Sequence, residues 1–303
     1  MTTASSFTVP NDAGQHVFVH AWLPPEPARA VVLVAHGMAE HGGRYARLGR
    51  VLAKNGLAVY APDHRGHGET AAGRLGWGGA DAWNGTIRDL AALADRARAA
   101  HPGAPLFLMG HSMGSIATQR FLQLHGNLLQ GAILSGTTSV LPGAEQIVPA
   151  ARAQAEGGAA EEPSPFAALM FASFNDGFQP VATPFDWLSR DEAEVAKYIA
   201  DPFCGFVFSS GLLADHLAGW VETWLPANEA RLPTSLPLLV FSGALDPVGA
   251  NMSYVTALVE RYRALGIGHI ETIAYPGGRH EMLNETNRDD VHSDILTWLN
   301  ARL

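Results

Sequence analysis

Cysteine and long apolar runs are scarce in this sequence. Cys204 is the single cysteine in 303 residues, so no disulfide can form within the chain and a cysteine-rich zinc site is excluded. No uncharged stretch is long enough to cross a bilayer. Residues 1–14 lack the basic start and apolar run of a signal peptide. We therefore expect a cytoplasmic protein.

Positive charge is also scarce. The chain has 20 basic and 29 acidic residues and a formal net charge of −9. An acidic chain repels phosphate backbones, and no cluster of Lys and Arg reverses this locally. We expect no nucleic-acid partner and no simple electrostatic docking on anionic membranes.

The sequence does contain apolar strand-like runs that alternate with helical patterns. Residues 30–35 (AVVLVA) are typical of a strand that is buried on both faces. The alternation predicts an α/β fold, with a mostly parallel sheet flanked by helices and right-handed crossovers. Strands are predicted at 15–23, 30–35, 57–61, 105–109, 131–134, 237–241 and 269–275, and helices at 45–55, 83–100, 113–124, 252–265 and 289–303.

This alternation stops in the middle of the chain. We predict one α/β core, made of residues 1–136 and 237–303, with a helical cap inserted at residues 137–236. Residues 150–162 are rich in Ala and Glu, and we interpret them as a mobile link inside the cap. Helix-like pieces of the cap are expected at 165–174, 206–217 and around the pair Trp220 and Trp224.

The segment Gly110-His111-Ser112-Met113-Gly114 fits the pattern G-x-S-x-G between a predicted strand and a predicted helix. A serine at such a sharp turn is held in a strained backbone conformation, with its oxygen exposed at the carboxyl end of the sheet. The flanking glycines allow strand and helix to approach closely. The helix that follows supplies free N–H groups for a developing oxyanion. We predict that Ser112 is a nucleophile.

A serine hydroxyl needs a neighbouring imidazole to take its proton. His280 lies in the loop after the strand that ends at Tyr275, and Asp246 follows the strand that ends at Phe241. Both loops would emerge at the same edge of the sheet as the serine. An aspartate there can hold the imidazole tautomer and stabilise imidazolium. The order Ser112, Asp246, His280 is the one expected for α/β-hydrolases.

Residues 36–45 (HGMAEHGGRY) follow a predicted buried strand and form a candidate oxyanion loop. The backbone N–H groups of Met38 and Met113 would together form the oxyanion hole. Glu40 and His41 lie close to this loop. They are candidates for contact with a substrate head group, with bracing of the loop as the alternative.

The chain resembles the monoacylglycerol lipase and lysophospholipase group of α/β-hydrolases, which overlaps with sequences labelled serine aminopeptidase-like. The resemblance covers nearly the whole chain and implies an α/β-hydrolase fold with a helical cap. Where Met38 and Ala39 stand, the familiar oxyanion segment often has a small residue and Gly, so Met38 is expected to reshape the entrance. The matching segments are residues 36–45, 61–70 (APDHRGHGET), 110–115 (GHSMGS), 242–249 (SGALDPVG) and 277–285 (GGRHEMLNE).

The cap is rich in apolar side chains that could line an acyl tunnel, among them Phe174, Leu212 and Leu213. We therefore expect a small-molecule substrate: a carboxylic ester with an apolar acyl chain, such as a monoacylglycerol or a lysophospholipid-type monoester. The predicted acyl transfer needs no metal and no organic cofactor. Transient contact with membranes or micelles through the cap stays open.

Two alternatives remain at this point. An aminopeptidase or amidase of the same fold would need a carboxylate in the cap to hold a free α-amino group. A non-catalytic ligand-binding protein could keep the pocket, although all three triad positions are filled here. Candidate carboxylates for the first alternative are Glu161, Glu162, Asp176 and Asp215.

Overall fold

The computed structural model describes residues 2–140 and 143–303. Met1, Leu141 and Pro142, which the predicted core and cap ranges include, lie outside the described residues. Eight strands are formed: β1 Thr3–Pro10, β2 His16–Leu23, β3 Ala30–Ala35, β4 Leu57–Pro62, β5 Leu106–His111, β6 Gly131–Ser135, β7 Leu238–Gly243 and β8 Ile270–Tyr275.

These strands form one sheet in the order β1-β2-β4-β3-β5-β6-β7-β8. The pairings from β4 to β8 are parallel, whereas β1 and β2 are added antiparallel at one edge. The strands β3 to β7 are buried along their whole length, as their continuous apolar sequences require. This mostly parallel sheet with flanking helices confirms the predicted fold class.

Ten α-helices accompany the sheet in the described part of the chain. Two separate apolar clusters, one on each face, show that helices cover both sides of the sheet. The helices are α1 Ala46–Lys54, α2 Ala82–Ala100, α3 Met113–His125, α4 Ala144–Gln154, α5 Pro165–Phe171, α6 Glu192–Ala200, α7 Ser210–Thr223, α8 Pro226–Glu229, α9 Ser253–Ala264 and α10 Arg288–Asn300. None of these helices is long and apolar enough to cross a membrane.

The helices α4 to α8 lie between β6 and β7, in the segment predicted as a cap. Residues 150–162, interpreted from the sequence as a mobile link, are largely helical, because α4 continues into a helical turn at Ala155–Ala159. The long helix α7 packs on α2. Gly219 allows this approach, since a Cβ at that position would collide with the indole of Trp83. The segment is thus packed on the sheet's own helices.

β1, α4, α6 and α8 were not predicted. β1 pairs along its whole length with β2, but most of its side chains are exposed, so its sequence shows little apolar alternation. The helix α6 begins after Asp191, whose side chain accepts a hydrogen bond from the Ala193 N–H. That N-cap, followed by two glutamates in the first turn, was a signal that could have found it.

Candidate active site

Ser112 sits between β5 and α3 with φ 52° and ψ −122°. The backbone is held there by a hydrogen bond of 2.9 Å from the Ser112 N–H to the Ser135 carbonyl. A Cβ at Gly110 would collide with the Gly114 carbonyl, and a Cβ at Gly114 would collide with the Ala35 carbonyl in β3. The two glycines of the motif are therefore needed for close approach, and the serine occupies a strained conformation that is typical of functional sites.

Asp246 and His280 lie on the loops after β7 and β8 and are both buried. The Nδ1 of His280 is 3.0 Å from Oδ1 of Asp246. The same carboxylate accepts a hydrogen bond of 2.6 Å from the Ser242 hydroxyl and one of 2.9 Å from the Val248 N–H. A carboxylate that accepts three hydrogen bonds is ionised, so it favours the His280 tautomer with its proton on Nδ1.

The pKa values of this pair follow from burial and mutual attraction. Burial alone would lower the pKa of His280, but the Asp246 carboxylate outweighs burial and raises it above the ordinary value of 6.5. Burial alone would raise the pKa of Asp246, but His280 and the hydrogen bonds hold it below its usual value. His111, whose ring centroid is 4.6 Å from that of His280, has a pKa of about 4 because of its burial, and is neutral.

Ser112 and His280 line the same cavity. Among the hydrogen bonds of the described residues, none joins the Ser112 hydroxyl to His280, whereas the Asp246–His280 bond is formed. Catalytic hydrogen bonds are often loose before substrate binds. The structure thus gathers the three predicted triad residues at one edge of the sheet.

Met113 follows Ser112 in the chain, and Met38 lines the same cavities as Ser112. Met113 is the first residue of α3, so its N–H has no acceptor within the helix. Gly37 lies so close to the serine that a Cβ added to it would be 3.2 Å from the Cβ of Ser112. Neither the Met38 nor the Met113 N–H donates to an acceptor among the described residues. Both N–H groups are therefore without an acceptor in the described part of the chain.

Two cavities meet at Ser112, with volumes of about 420 and 740 Å³. Met38, Ser112 and Phe171 line both of them. The wall of the smaller cavity is mostly apolar but includes the polar side chains Glu40, Asn175, Tyr198, His280 and Glu281. The larger cavity is mostly apolar, with Ile116, Ile147, Phe166, Leu169, Met170, Phe174, Leu213, Leu217, Trp220 and Val248 in its wall.

Three of the five residues predicted to bind substrate line a cavity at Ser112. Phe174 and Leu213 line the larger cavity, and Glu40 lines the smaller one. Leu212 must be corrected, because it is fully buried and packs on Gly66 and Gly78 of the core. One residue along a helix turns the side chain by about 100°, so Leu212 and Leu213 face different ways.

His41 must also be corrected, because it lines neither cavity. Its Nδ1 accepts a hydrogen bond of 3.2 Å from the Gly43 N–H, and its Nε2 lies 3.0 Å from Oδ2 of Asp201. His41 therefore braces the candidate oxyanion loop against the segment after α6, which is the alternative that the sequence left open.

Glu40 combines its place at the smaller cavity with a structural role. Its carboxylate accepts hydrogen bonds of 2.5 Å from the Gly37 N–H and 2.8 Å from the Tyr45 hydroxyl. Arg44 bridges Glu40 to Glu281, with N–O distances of 2.6 and 2.7 Å to the Glu281 carboxylate. Burial would raise the pKa of Glu281, but Arg44 outweighs it and lowers that pKa to about 2. The bridge connects the candidate oxyanion loop to the loop of His280.

Two groups of residues bring potential metal ligands within 4.8 Å of one another in the described chain: His20 with His41 and Asp63, and His41 with Asp201 and Cys204. Asp63 already accepts hydrogen bonds from the backbone N–H groups of Gly42 and Glu69. Burial raises the pKa of the Cys204 thiol, which disfavours the thiolate that metals bind. These contacts indicate that the residues of both groups brace loops and do not form a metal site.

Trp187 is a site residue that the sequence reasoning missed. Its carbonyl accepts a hydrogen bond of 3.3 Å from the His280 N–H, and its ring lies 5.1 Å from the imidazole between centroids. The next residue, Leu188, accepts a bond of 2.7 Å from the Glu281 N–H. No local sequence signal marks this contact, because it joins segments that are about ninety residues apart.

The chain is similar to several known hydrolases. Residues 26–287 match the hydrolase family model described as serine aminopeptidase, S33. The monoacylglycerol lipase of Mycolicibacterium smegmatis is 29% identical over 306 residues, which cover 100% of this chain and 99% of that protein. The monoglyceride lipase of Homo sapiens is 29% identical over 243 residues, which cover 78% of this chain and 71% of that protein.

A solved structure of a highly thermostable carboxyl esterase from Bacillus coagulans, in complex with glycerol, superposes with a TM-score of 0.90 at 29% identity. The match covers 99% of this chain and 98% of that one. Since the family model spans most of the chain, the protein is a hydrolase and belongs to the α/β-hydrolase family described as serine aminopeptidase, S33.

Proposed function

We propose that this hydrolase cleaves carboxylic esters of apolar acyl chains, and that monoacylglycerols and similar monoesters are its substrates. The observation that carries the proposal is the meeting at Ser112 of two mostly apolar cavities, of which the smaller also carries carboxylate and histidine side chains. The larger, apolar cavity suits an acyl chain. The smaller cavity, with its polar side chains, suits the alcohol part of the ester.

In the proposed reaction, Nε2 of His280 takes the proton of the Ser112 hydroxyl, and Oγ attacks the ester carbonyl carbon. The N–H groups of Met38 and Met113 stabilise the oxyanion. His280 then gives its proton to the leaving alcohol. Water attacks the acyl-enzyme by the same route and releases the carboxylic acid. Asp246, hydrogen-bonded to His280, stabilises the imidazolium in both steps.

The related proteins support the substrate class. The relatives from Mycolicibacterium smegmatis and Homo sapiens carry the names monoacylglycerol lipase and monoglyceride lipase. The esterase from Bacillus coagulans was solved with glycerol, the alcohol that a monoacylglycerol would release. A lysophospholipid-type monoester has the same plan of one acyl chain and one polar alcohol, and stays within the proposal.

The four carboxylates named from the sequence as candidates for an aminopeptidase lie away from both cavities. Glu161 is exposed and pairs with Arg74, while Glu162 and Asp176 are exposed. Asp215 accepts a hydrogen bond of 2.6 Å from the Trp83 N–H. None of these four carboxylates lines either cavity at Ser112. Glu40 and Glu281 do line the smaller cavity, but both are already paired with Arg44. This arrangement favours an ester with an apolar chain over a substrate with a free α-amino group.

A substrate panel tests the proposal directly. The purified protein is assayed side by side on p-nitrophenyl acyl esters, monoolein and prolyl-naphthylamide. We expect faster turnover of the esters, with medium or long chains preferred because the larger cavity gains contact with each added methylene. Faster cleavage of the amide would overturn the ester assignment.

The nucleophile is tested with a fluorophosphonate probe. The wild type should be labelled and Ser112→Ala should not. Ser112→Ala should also lower turnover by about 10⁴-fold or more, because triad members act as a unit. Absence of labelling in the wild type would instead favour a non-catalytic ligand-binding protein.

A further inference from the structure

Ala39, the residue after Met38, has a left-handed backbone conformation with φ 52° and is hydrogen-bonded on both sides. Its N–H lies 3.3 Å from Nε2 of His67. Its carbonyl accepts two bonds of 2.9 Å, from the Tyr198 hydroxyl and from the Gly205 N–H. A residue with a Cβ is rarely stable in this conformation, at a cost of about 1–2 kcal/mol. The three bonds therefore hold a strained residue in place.

The peptide before Met38 is held as well. Nδ1 of His36 lies 2.8 Å from the Gly37 carbonyl, and Nε2 of the same ring accepts a bond of 2.9 Å from the His64 N–H. The Gly37 carbonyl and the Met38 N–H belong to one planar peptide and point in opposite directions. A bond that fixes the carbonyl therefore also fixes where the Met38 N–H points.

His36 and His67 are both neutral imidazole rings. The Nε2 of His67 must be unprotonated to accept from Ala39, and its Nδ1 lies 3.0 Å from the Arg65 carbonyl. Burial lowers the pKa of His67 to about 3 and holds that of His36 well below its ordinary value. The bonds to the oxyanion loop thus persist at neutral pH.

The contacts on the Ala39 carbonyl come from a different part of the chain. Tyr198 lies on α6 and Gly205 follows it, so both belong to the segment between β6 and β7. The Tyr198 hydroxyl also accepts a bond of 3.1 Å from the Gly205 N–H. Its ring is fixed under the Arg44 guanidinium, 4.8 Å from the ring centroid. The phenol is therefore a rigid group that reaches from this segment to the oxyanion loop.

We propose that Tyr198 is a positioning residue for catalysis: through the Ala39 carbonyl, and together with His36 and His67, it orients the Met38 N–H toward the oxyanion formed at Ser112. This inference rests on the proposed function, in which Met38 supplies an oxyanion donor. With Tyr198 in this role, the oxyanion hole is complete only when the segment that carries Tyr198 is packed against the core.

Tyr198 also lines the smaller cavity, so a contact with the alcohol part of the substrate is the competing explanation. The two roles differ after the first half of the reaction. Once the alcohol has left, an alcohol-binding residue has nothing to contact, whereas the oxyanion forms again when water attacks the acyl-enzyme. The rate of deacylation therefore separates them.

The experiment compares Tyr198→Phe with the wild type on p-nitrophenyl hexanoate in stopped flow, with acylation and deacylation rates measured separately. Loss of a whole oxyanion donor costs about 100- to 1000-fold. Because Gly205 still binds Ala39, we expect a smaller loss of about tenfold in both steps, with KM changed less than twofold. Affinity for an alkyl boronic acid, which forms a tetrahedral adduct with serine, should fall by the same factor.

Tyr262→Phe is the matched control, since it removes a buried hydroxyl bonded to Gln119 away from both cavities and should change neither rate. If Tyr198→Phe unfolds, His67→Gln and His67→Leu provide the test, because Gln keeps an acceptor for the Ala39 N–H and Leu does not. An unchanged deacylation rate, or equal effects of Gln and Leu, would overturn the proposal. A wild type that does not cleave the ester would instead remove the proposed function.

Discussion

At His280, burial and the charge of Asp246 act in opposite directions on one proton. The carboxylate dominates, so the pKa of His280 lies above 6.5, with Glu281 and Glu40 adding to the rise. The imidazole must be neutral to take the serine proton. We therefore predict that kcat/KM falls as pH is lowered through this raised pKa, with a midpoint above 6.5 on short-chain esters.

The variant Asp246→Asn checks the cause of that midpoint. Without the carboxylate, burial lowers the pKa of His280, so the acidic limb should move to lower pH. The rate at pH 8 should also fall by about 10⁴-fold, because the tautomer is no longer held. A wild-type midpoint at or below 6.5 would contradict the first expectation, and an unmoved limb in the variant would contradict the second.

At the residue scale, chain order and turn chemistry pointed to the candidate site. Ser112 lies in a five-residue pattern, and Asp246 and His280 follow late strands, all of which are local signals. Leu212 and His41 could not be judged in this way. The facing of a side chain on a buried helix, or its pairing with a distant aspartate, depends on packing that no local pattern records.

At the scale of elements, Arg44 joins two loops through two buried carboxylates. Replacing Arg44 with Ala would leave Glu40 and Glu281 close together without their cation. Breaking a buried ion pair from one side costs about 3–5 kcal/mol. We predict a loss of this size in the free energy of unfolding, measured by urea denaturation.

Arg98→Ala is the matched control, because Arg98 and Asp95 are exposed and 3.9 Å apart. An exposed pair of this kind contributes about 0–1 kcal/mol. If Arg44→Ala and Arg98→Ala cost the same, the buried bridge does not stabilise the fold in the way described.

Secondary-structure elements differ in how well the sequence predicts them. β3 was predicted at 30–35 and is formed at Ala30–Ala35, because a strand buried on both faces must be apolar throughout. β1, α4, α6 and α8 were missed. An exposed edge strand needs no apolar alternation, and the polar start of α6 lies in a segment without a clear period.

At the scale of the whole molecule, the segment between β6 and β7 supplies most of the wall of the larger cavity, while the core supplies Ser112. Acyl-chain preference should therefore change without damage to the triad. Leu213 is fully buried on α7 with its side chain in that wall. Leu213→Trp adds volume beside the cavity of about 740 Å³, which is the open space next to this side chain.

We predict that Leu213→Trp lowers kcat/KM on long-chain p-nitrophenyl esters by about tenfold or more, since each methylene denied burial forfeits about 0.8 kcal/mol. Turnover of the acetyl ester should change little, because its acyl group needs only the space beside Ser112. The acetyl ester thus serves as the internal control for folding and for the triad. Equal losses on acetyl and long-chain esters would mean that the larger cavity does not hold the acyl chain.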